Sequence, residues 1–500
     1  MSYIMSEVMQ PDEETTPLIS GGHPEPPCSP KSRLNISKFT RSPASALPLA
    51  FLSALALAFT AAAQIFVYAD LLCSDPRHCQ DAERRKFAAS VAIATFVANC
   101  CALLSLGGFE ILSRRRTRAG LAIWLVVRSM SVVALALGVI TQRIDIVMSG
   151  QIFEGLASDN VLHFSLNIVY SREGYGGKRT KLIGSSLALY MIGISISPSL
   201  ASLLRNFRDS FFIACGIFMS ALIYLVLVVK TEPILSNVTR RDTNSAIQNE
   251  TGRTKFLNFV TKSIYSPFAP FVFMKTRQLV VGGLVLFTYN LAQAYTFSAV
   301  LVFTSTEFGF TSRENGFLLT EVHLTASLYL FYVLFAAPRL GRAAKGYHLV
   351  SSDPPREGRV ESTAVLAFSS LTMQGLALVC FGFVQYIWQV YAVSALLAIG
   401  LSCPSFVKSY FTMSLNTSER SKALASLAVM ETSGSVLAPV VLGGLQVLWP
   451  GNMAFFAAAG LAFLAGAMMF SVILADLWGS NVPVDTASSV QQSGLTEEEH

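Results

Sequence analysis

The chain has 500 residues, of which 52% are hydrophobic and 14% charged, with a mean hydropathy of +0.51. Soluble domains carry about 25% charged residues, so this composition excludes a disordered chain, a basic nucleic-acid-binding domain and an ordinary soluble enzyme. The net charge is only +6, and eight cysteines make neither a disulfide scaffold nor a zinc array. What remains is an all-α, polytopic membrane protein, with no cofactor, metal or nucleic-acid partner expected.

Residues 1–43 are polar and contain seven prolines. They read as a disordered cytosolic tail, without the apolar stretch and small-residue cleavage site of a signal peptide. Within them Glu14, Leu18 and Ile19 fit the acidic dileucine pattern that sorting adaptors bind. A bilayer core about 30 Å thick needs about 20 apolar helical residues to cross it. Twelve such runs follow, near 45–69, 87–109, 119–140, 145–170, 182–203, 210–230, 279–304, 315–337, 363–384, 387–411, 423–447 and 452–477. They predict an N-terminal six-helix half over 44–230 and a C-terminal half over 279–477. Between them, 231–278 reads as a cytosolic loop in which 255–264 forms an interfacial helix. Residues 478–500 read as a second disordered cytosolic tail.

With both termini in the cytosol, 28 of the 37 Lys and Arg residues fall on the cytosolic side. Eight fall on the opposite side, and Arg128 lies inside span three. That asymmetry is what the positive-inside rule requires. Cys73 and Cys79 share the first non-cytosolic loop, where they form either a disulfide or two unpaired thiols.

The halves carry an internal repeat at an offset of 241 residues. Arg179, Lys181, Ser185, Gly193 and Pro198 before and within span five recur as Arg420, Lys422, Ser426, Gly434 and Pro439 before and within span eleven. Pseudo-symmetric halves mark many secondary transporters. The Gly193/Pro198 and Gly434/Pro439 pairs are expected to kink their helices and serve gating.

Several stretches resemble the major facilitator superfamily, in particular its fungal multidrug-like members. Gly107 to Arg116, ending in Arg114, Arg115 and Arg116, stands where the family has its loop motif between spans two and three, although the motif's Asp and second Gly are missing. Gly193-Ile-Ser-Ile-Ser-Pro198 looks like a remnant of the Gly/Pro motif of family antiporters. Glu154-Gly-Leu-Ala-Ser in span four and Phe308 to Gly316 between spans seven and eight look similar too. The resemblance implies twelve transmembrane helices in two pseudo-symmetric halves, alternating access, and a cavity lined by span four. It also implies proton-coupled efflux of a small organic molecule. Uptake, by symport or facilitated diffusion, and a non-transporting receptor or scaffold remain alternatives, as do the plasma membrane and a vacuolar or other endomembrane.

Ionisable groups inside spans are costly and point to function. Span four is richest, with Glu154, Asp159, Asn160, His163 and Asn167. Asn160, His163 and Asn167 share a helical face and are expected in the cavity. Glu154, Asp159 and Glu431 are the candidates for proton coupling. Arg128 and Asp159 lie at similar depth, which predicts an Arg128–Asp159 ion pair and moves the proton role toward Glu154. Tyr289, Asn290, Gln293 and Tyr295 in span seven, with Glu321 in span eight, suit a solute that is apolar with a few polar atoms. For the span-seven set, hydrogen bonding between helices is the competing reading. Lys408 is expected to snorkel. Gly174 to Thr180 is not a phosphate-binding loop, because Arg172 and Arg179 occupy its key positions. No catalytic motif stands out, so a non-enzymatic protein is expected.

Overall fold

The structure, a computed structural model, describes residues 42–170, 179–229, 277–333, 356–413, 415, 417–449 and 451–480. These residues form twelve helical rods and, among them, no strand. Span one is Leu47–Leu72, span two Asp81–Arg115, span three Thr117–Thr141, span five Arg179–Ser202 and span six Asp209–Leu227. Span seven is Arg277–Glu307, span eight Ser312–Phe331, span nine Arg356–Phe381 and span twelve Met453–Ser480. Span four is two segments, Ile144–Leu156 and Asp159–Tyr170, and span ten is Ile387–Gly400 and Cys403–Met413. Span eleven runs as Thr417–Ala438, a π-helical turn Pro439–Gly443, and Gly444–Leu448.

Ten of these rods are long and apolar enough to cross a membrane. The exceptions have visible causes. Neither segment of span four reaches the needed length, and span eight carries Arg313, Glu314, Asn315, Glu321 and His323 within 20 residues. Large apolar side chains such as Ile140, Phe212, Leu227, Leu328 and Trp388 stay exposed on the outside of the bundle. Water would oppose that arrangement and hydrocarbon permits it, so the chain is an integral, multi-pass membrane protein.

The short turns 73–80, 142–143, 203–208, 308–311 and 382–386, with 449 and 451–452, all lie at one end of the bundle, here the distal face. The first residue of span one and the last of span twelve lie at the other, terminal face. Capping boxes start spans two and eight: Glu83 accepts from the Gln80 backbone, and Glu314 from that of Thr311.

Equivalent rods of the two halves pack alike. Span one lies against span five and span seven against span eleven, while spans three and nine rest on spans six and twelve. The glycines of the repeat permit the first two contacts. A Cβ at Gly193 would sit 2.9 Å from the Phe51 carbonyl of span one. One at Gly434 would collide with the Phe287 carbonyl of span seven. The prolines behave differently from each other. Pro198 lies inside an unbroken α-helix, whereas Pro439 opens the π-helical turn of span eleven. Without an N–H to donate, Pro439 releases one backbone bond, and the wider turn absorbs the change.

The tails, the dileucine residues Glu14, Leu18 and Ile19, and the central loop with 255–264 lie outside the described residues. So do the side chains of Arg114 and Arg115, although span two continues through them and through Gly107. Arg116 is described: it is exposed and ends span two with an irregular backbone.

Candidate functional site

The two broken rods carry Glu154, Asp159 and Lys408, three of the ionisable groups inside the bundle. Span four stops at Leu156 and restarts at Asp159; the Trp124 indole of span three donates to the Ser158 carbonyl at the break, at 3.0 Å. Glu154 lies two residues before the end of the first segment and Asp159 opens the second, so the two carboxylates flank the break.

The expected Arg128–Asp159 pair is not what forms. Arg128 Nη2 lies 3.0 Å from Glu154 Oε1, and Nη1 donates to the Glu154 backbone carbonyl at 3.1 Å. Gln64 of span one donates to Glu154 Oε2 at 2.8 Å. Asp159 accepts instead from the Tyr190 hydroxyl of span five, at 2.8 Å. Similar depth along two rods does not decide the pairing, because the break at Ala157 and Ser158 turns Asp159 toward span five. Glu154, on the preceding segment, keeps the side facing span three.

His163 packs edge-on against Tyr190, with ring centroids 4.3 Å apart, and its Nε2 is buried without a partner. Asn160 is exposed and Asn167 half-buried; with Phe164 they form the more accessible face of the second segment. His163 therefore parts company with Asn160 and Asn167, facing span five instead.

In the other half, Lys408 of span ten makes an ion pair with Glu431 of span eleven. The Lys408 side chain is only 1% exposed, so it does not snorkel. At the repeat offset, Lys408 and Glu431 correspond to Asn167 and Tyr190. Tyr190 and Glu431 thus occupy the same position of the glycine–proline helix and each bonds to the preceding rod, but at different levels of that rod, since Asp159 corresponds to Gly400 rather than to Lys408. The bonds are Tyr190 to Asp159 in one half and Lys408 to Glu431 in the other.

The span-seven set is committed to helix packing rather than to an open cavity. Tyr289 donates to the Gly400 carbonyl at the break of span ten, at 2.8 Å. Gln293 accepts from Gln374 of span nine, and Tyr295 donates to Gln446 of span eleven at 3.2 Å. Asn290 donates to its own helix at Leu286. All four are buried. Glu321 is half-buried, with Oε2 sealed from solvent and unpartnered, in electrostatic reach of Tyr391.

Among the described residues, the contacts that join the halves run from the distal face to the middle of the bundle. Arg84 of span two pairs with Glu307 of span seven. Ser199 of span five donates to Thr320 of span eight at 2.9 Å, and Ser195 lies 3.3 Å from Ser327. Asn99 of span two donates to the Ser435 carbonyl of span eleven at 2.7 Å. Gly309, at φ +64°, brings the turn between spans seven and eight against the Arg77 carbonyl. Cys73 and Cys79 are joined by a disulfide that closes this first loop, with Cα atoms 5.2 Å apart.

Sequence reasoning passes over Gln64, Tyr68, Gln151, Tyr190, Arg84 and Glu307. Gln64 and Tyr68 at i, i+4 in an otherwise apolar span are a usable signal. The Arg84–Glu307 pair joins residues far apart in sequence and leaves none.

No family model and no curated protein sequence matches the chain. Solved structures do. The human organic anion transporter MFSD10 (TETRAN) aligns over 87% of this chain and all of its own, at 14% identity and TM-score 0.55. The nucleoside transporter NupG aligns over 88% of this chain and 99% of its own, at 12% identity and TM-score 0.59. The POT family transporter PepTSo aligns over 87% and 98%, at 13% identity and TM-score 0.56. At such identities the likeness establishes the fold alone. That fold is the major facilitator fold: two pseudo-symmetric six-helix halves in one membrane-embedded bundle.

Proposed function

We propose that the chain is a secondary transporter that moves a small organic molecule by alternating access, coupled to protons. The observation that carries this reading is the cluster of Arg128, Glu154 and Asp159. Two carboxylates share the interior of one half with one guanidinium, and Glu154 holds that guanidinium. With both acids ionised, the cluster has a net charge of −1, which a low-dielectric interior disfavours. One proton restores neutrality. Asp159, held by a neutral hydroxyl rather than by a cation, is the acid that takes it. Glu431 is tied to Lys408 and serves to bind span ten to span eleven.

Junctions between the halves among the described residues and a break in each of spans four and ten suit a bundle whose halves rock about its centre. The fold neighbours, which carry an organic anion, nucleosides and peptides, support transport of a small organic solute. Efflux in exchange for protons, with both termini cytosolic, is the favoured direction. The membrane is the plasma membrane or an endomembrane, and no catalytic step is proposed.

Vesicles containing the purified protein and loaded with a cell metabolite extract test this. Under an imposed pH gradient, at least one compound should leave faster than from protein-free vesicles. Gradient-independent movement points to facilitated diffusion. Binding without movement points to a receptor and sinks the transport reading.

A further inference from the structure

The distal turns of the two halves occupy equivalent places and differ in charge. In the N-terminal half, 142–143 and 203–208 carry Arg143, Arg205 and Arg208, with Asp145 just beyond the first turn, and all four are exposed. The counterparts in the C-terminal half are 382–386 and 449 with 451–452. At the repeat offset Arg143 corresponds to Val384, Asp145 to Tyr386 and Arg208 to Trp449. No charged residue stands between Glu361 and Lys408, or between Glu431 and Asp476, so each of these turns lies deep within an uncharged stretch.

The two neutral turns form one rim. Asn452 donates to the Gly382 carbonyl at 2.5 Å, and the Phe383 and Phe456 rings pack edge-on with centroids 5.3 Å apart. Around this joint Phe383, Tyr386, Trp388, Leu448, Trp449 and Met453 are each more than half exposed. Water would oppose so much apolar surface in one patch. Leu203 is exposed on the other rim as well, but it precedes Arg205 by two residues.

The backbone of the neutral rim is also withdrawn from water. The N–H groups of Gly382, Phe383 and Val384 donate to carbonyls at the end of span nine. Those of Gln385 and Tyr386 both donate to the Gln389 side chain, at 2.8 and 3.1 Å. Every amide donor of 382–386 is thus satisfied inside the protein, as a turn in a water-poor layer requires.

We infer that the distal rim of the C-terminal half is a membrane-interface anchor, seated in the glycerol and headgroup layer of a phospholipid bilayer, while the matching rim of the N-terminal half stands in water. Indole and phenol side chains suit that layer: the ring meets acyl chains, and the N–H or O–H reaches ester carbonyls and water. The patch runs on into the lipid-facing flank, because Ile387 and Trp388 open span ten and Leu448 ends span eleven. With no cation on the rim, anionic lipid is not required, and zwitterionic phosphatidylcholine suffices. The anchor rests on the membrane-embedded fold and not on the transport reading.

Tryptophan fluorescence quenching in phosphatidylcholine vesicles tests this. The emission of Trp388 and of Trp449 is taken as the difference between the wild-type protein and Trp388→Phe or Trp449→Phe. Lipid brominated near the ester end of its chains should quench each about twofold more than lipid brominated near the methyl end. Aqueous iodide should quench them about threefold less than it quenches the reporter added by Asn206→Trp on the other rim. Leu448→Trp adds a reporter at the anchored level and supplies the same reading if a phenylalanine variant does not fold. Iodide quenching at Trp388 and Trp449 equal to that in Asn206→Trp overturns the anchor. Protection from both iodide and brominated lipid also overturns it, since the rim is then covered by protein, such as a second copy of the chain.

Discussion

Arg128 lies 3.0 Å from Glu154, while Asp159, five residues along span four, is held by the Tyr190 hydroxyl at 2.8 Å. One guanidinium therefore serves one of two neighbouring acids, and the other is held without a cation. Residues 154 and 159 would stand about 140° apart around the axis of a continuous helix, so the two acids face different spans, and the break in span four lies between them. Removing the cation should leave Glu154 with Gln64 alone. Arg128→Met is expected to cost about 3 kcal/mol, the order seen when one member of a buried pair is deleted. Exchanging the charges, as Arg128→Glu with Glu154→Arg, should recover more folded protein than either change alone. Detergent-solubilised yield and melting temperature read both results; exchange with Asp159 in place of Glu154 should give no recovery.

Lys408 and Glu431 form a buried ion pair in the second half, with the lysine the more deeply buried partner. Glu431→Gln leaves an ammonium in an apolar surrounding and should lower the melting temperature more than Lys408→Met, which leaves the less buried group. The opposite order would place the energetic weight on Glu431.

Gly193 and Gly434 let span five approach span one and span eleven approach span seven. Alanine at either position should cost about 1–3 kcal/mol through forced separation of packed helices. A larger loss, read as melting temperature, is expected at Gly434, where an added Cβ would collide with the Phe287 carbonyl, than at Gly193, where it would sit 2.9 Å from the Phe51 carbonyl.

Ser199 and Thr320 touch across the halves at 2.9 Å. Ser199→Cys with Thr320→Cys should cross-link under mild oxidation and hold the distal junction shut. Solute exchange should then stop and return on reduction. Undiminished exchange in the cross-linked protein would show that this junction does not open during the cycle.

Most of the fold is legible in the amino-acid sequence, because its determinants are local. Apolar runs long enough to cross a bilayer, loop charges and a repeat at constant offset all survive in a linear reading. The charged site is legible in its members but not in its pairing. Arg128, Glu154, Asp159, Lys408 and Glu431 each stand out as ionisable groups in apolar rods. Which acid meets Arg128 depends on how spans one, three and five pack around the break at Ala157 and Ser158, which a linear reading does not show. The span-seven residues show the converse. Tyr289 and Gln293 read as solute ligands because polar groups in apolar helices invite that reading. Their partners, the Gly400 carbonyl and Gln374, lie 111 and 81 residues away and become visible only once the rods are packed.

The most direct test of proton coupling at Asp159 compares two modes of flux in the same vesicles. A compound found to leave under a pH gradient is followed in wild type and Asp159→Asn, first with the gradient and then as gradient-free exchange. Gradient-driven movement should fall at least tenfold in Asp159→Asn while exchange continues near the wild-type rate. Gradient-driven movement that persists unchanged in Asp159→Asn would contradict the assignment.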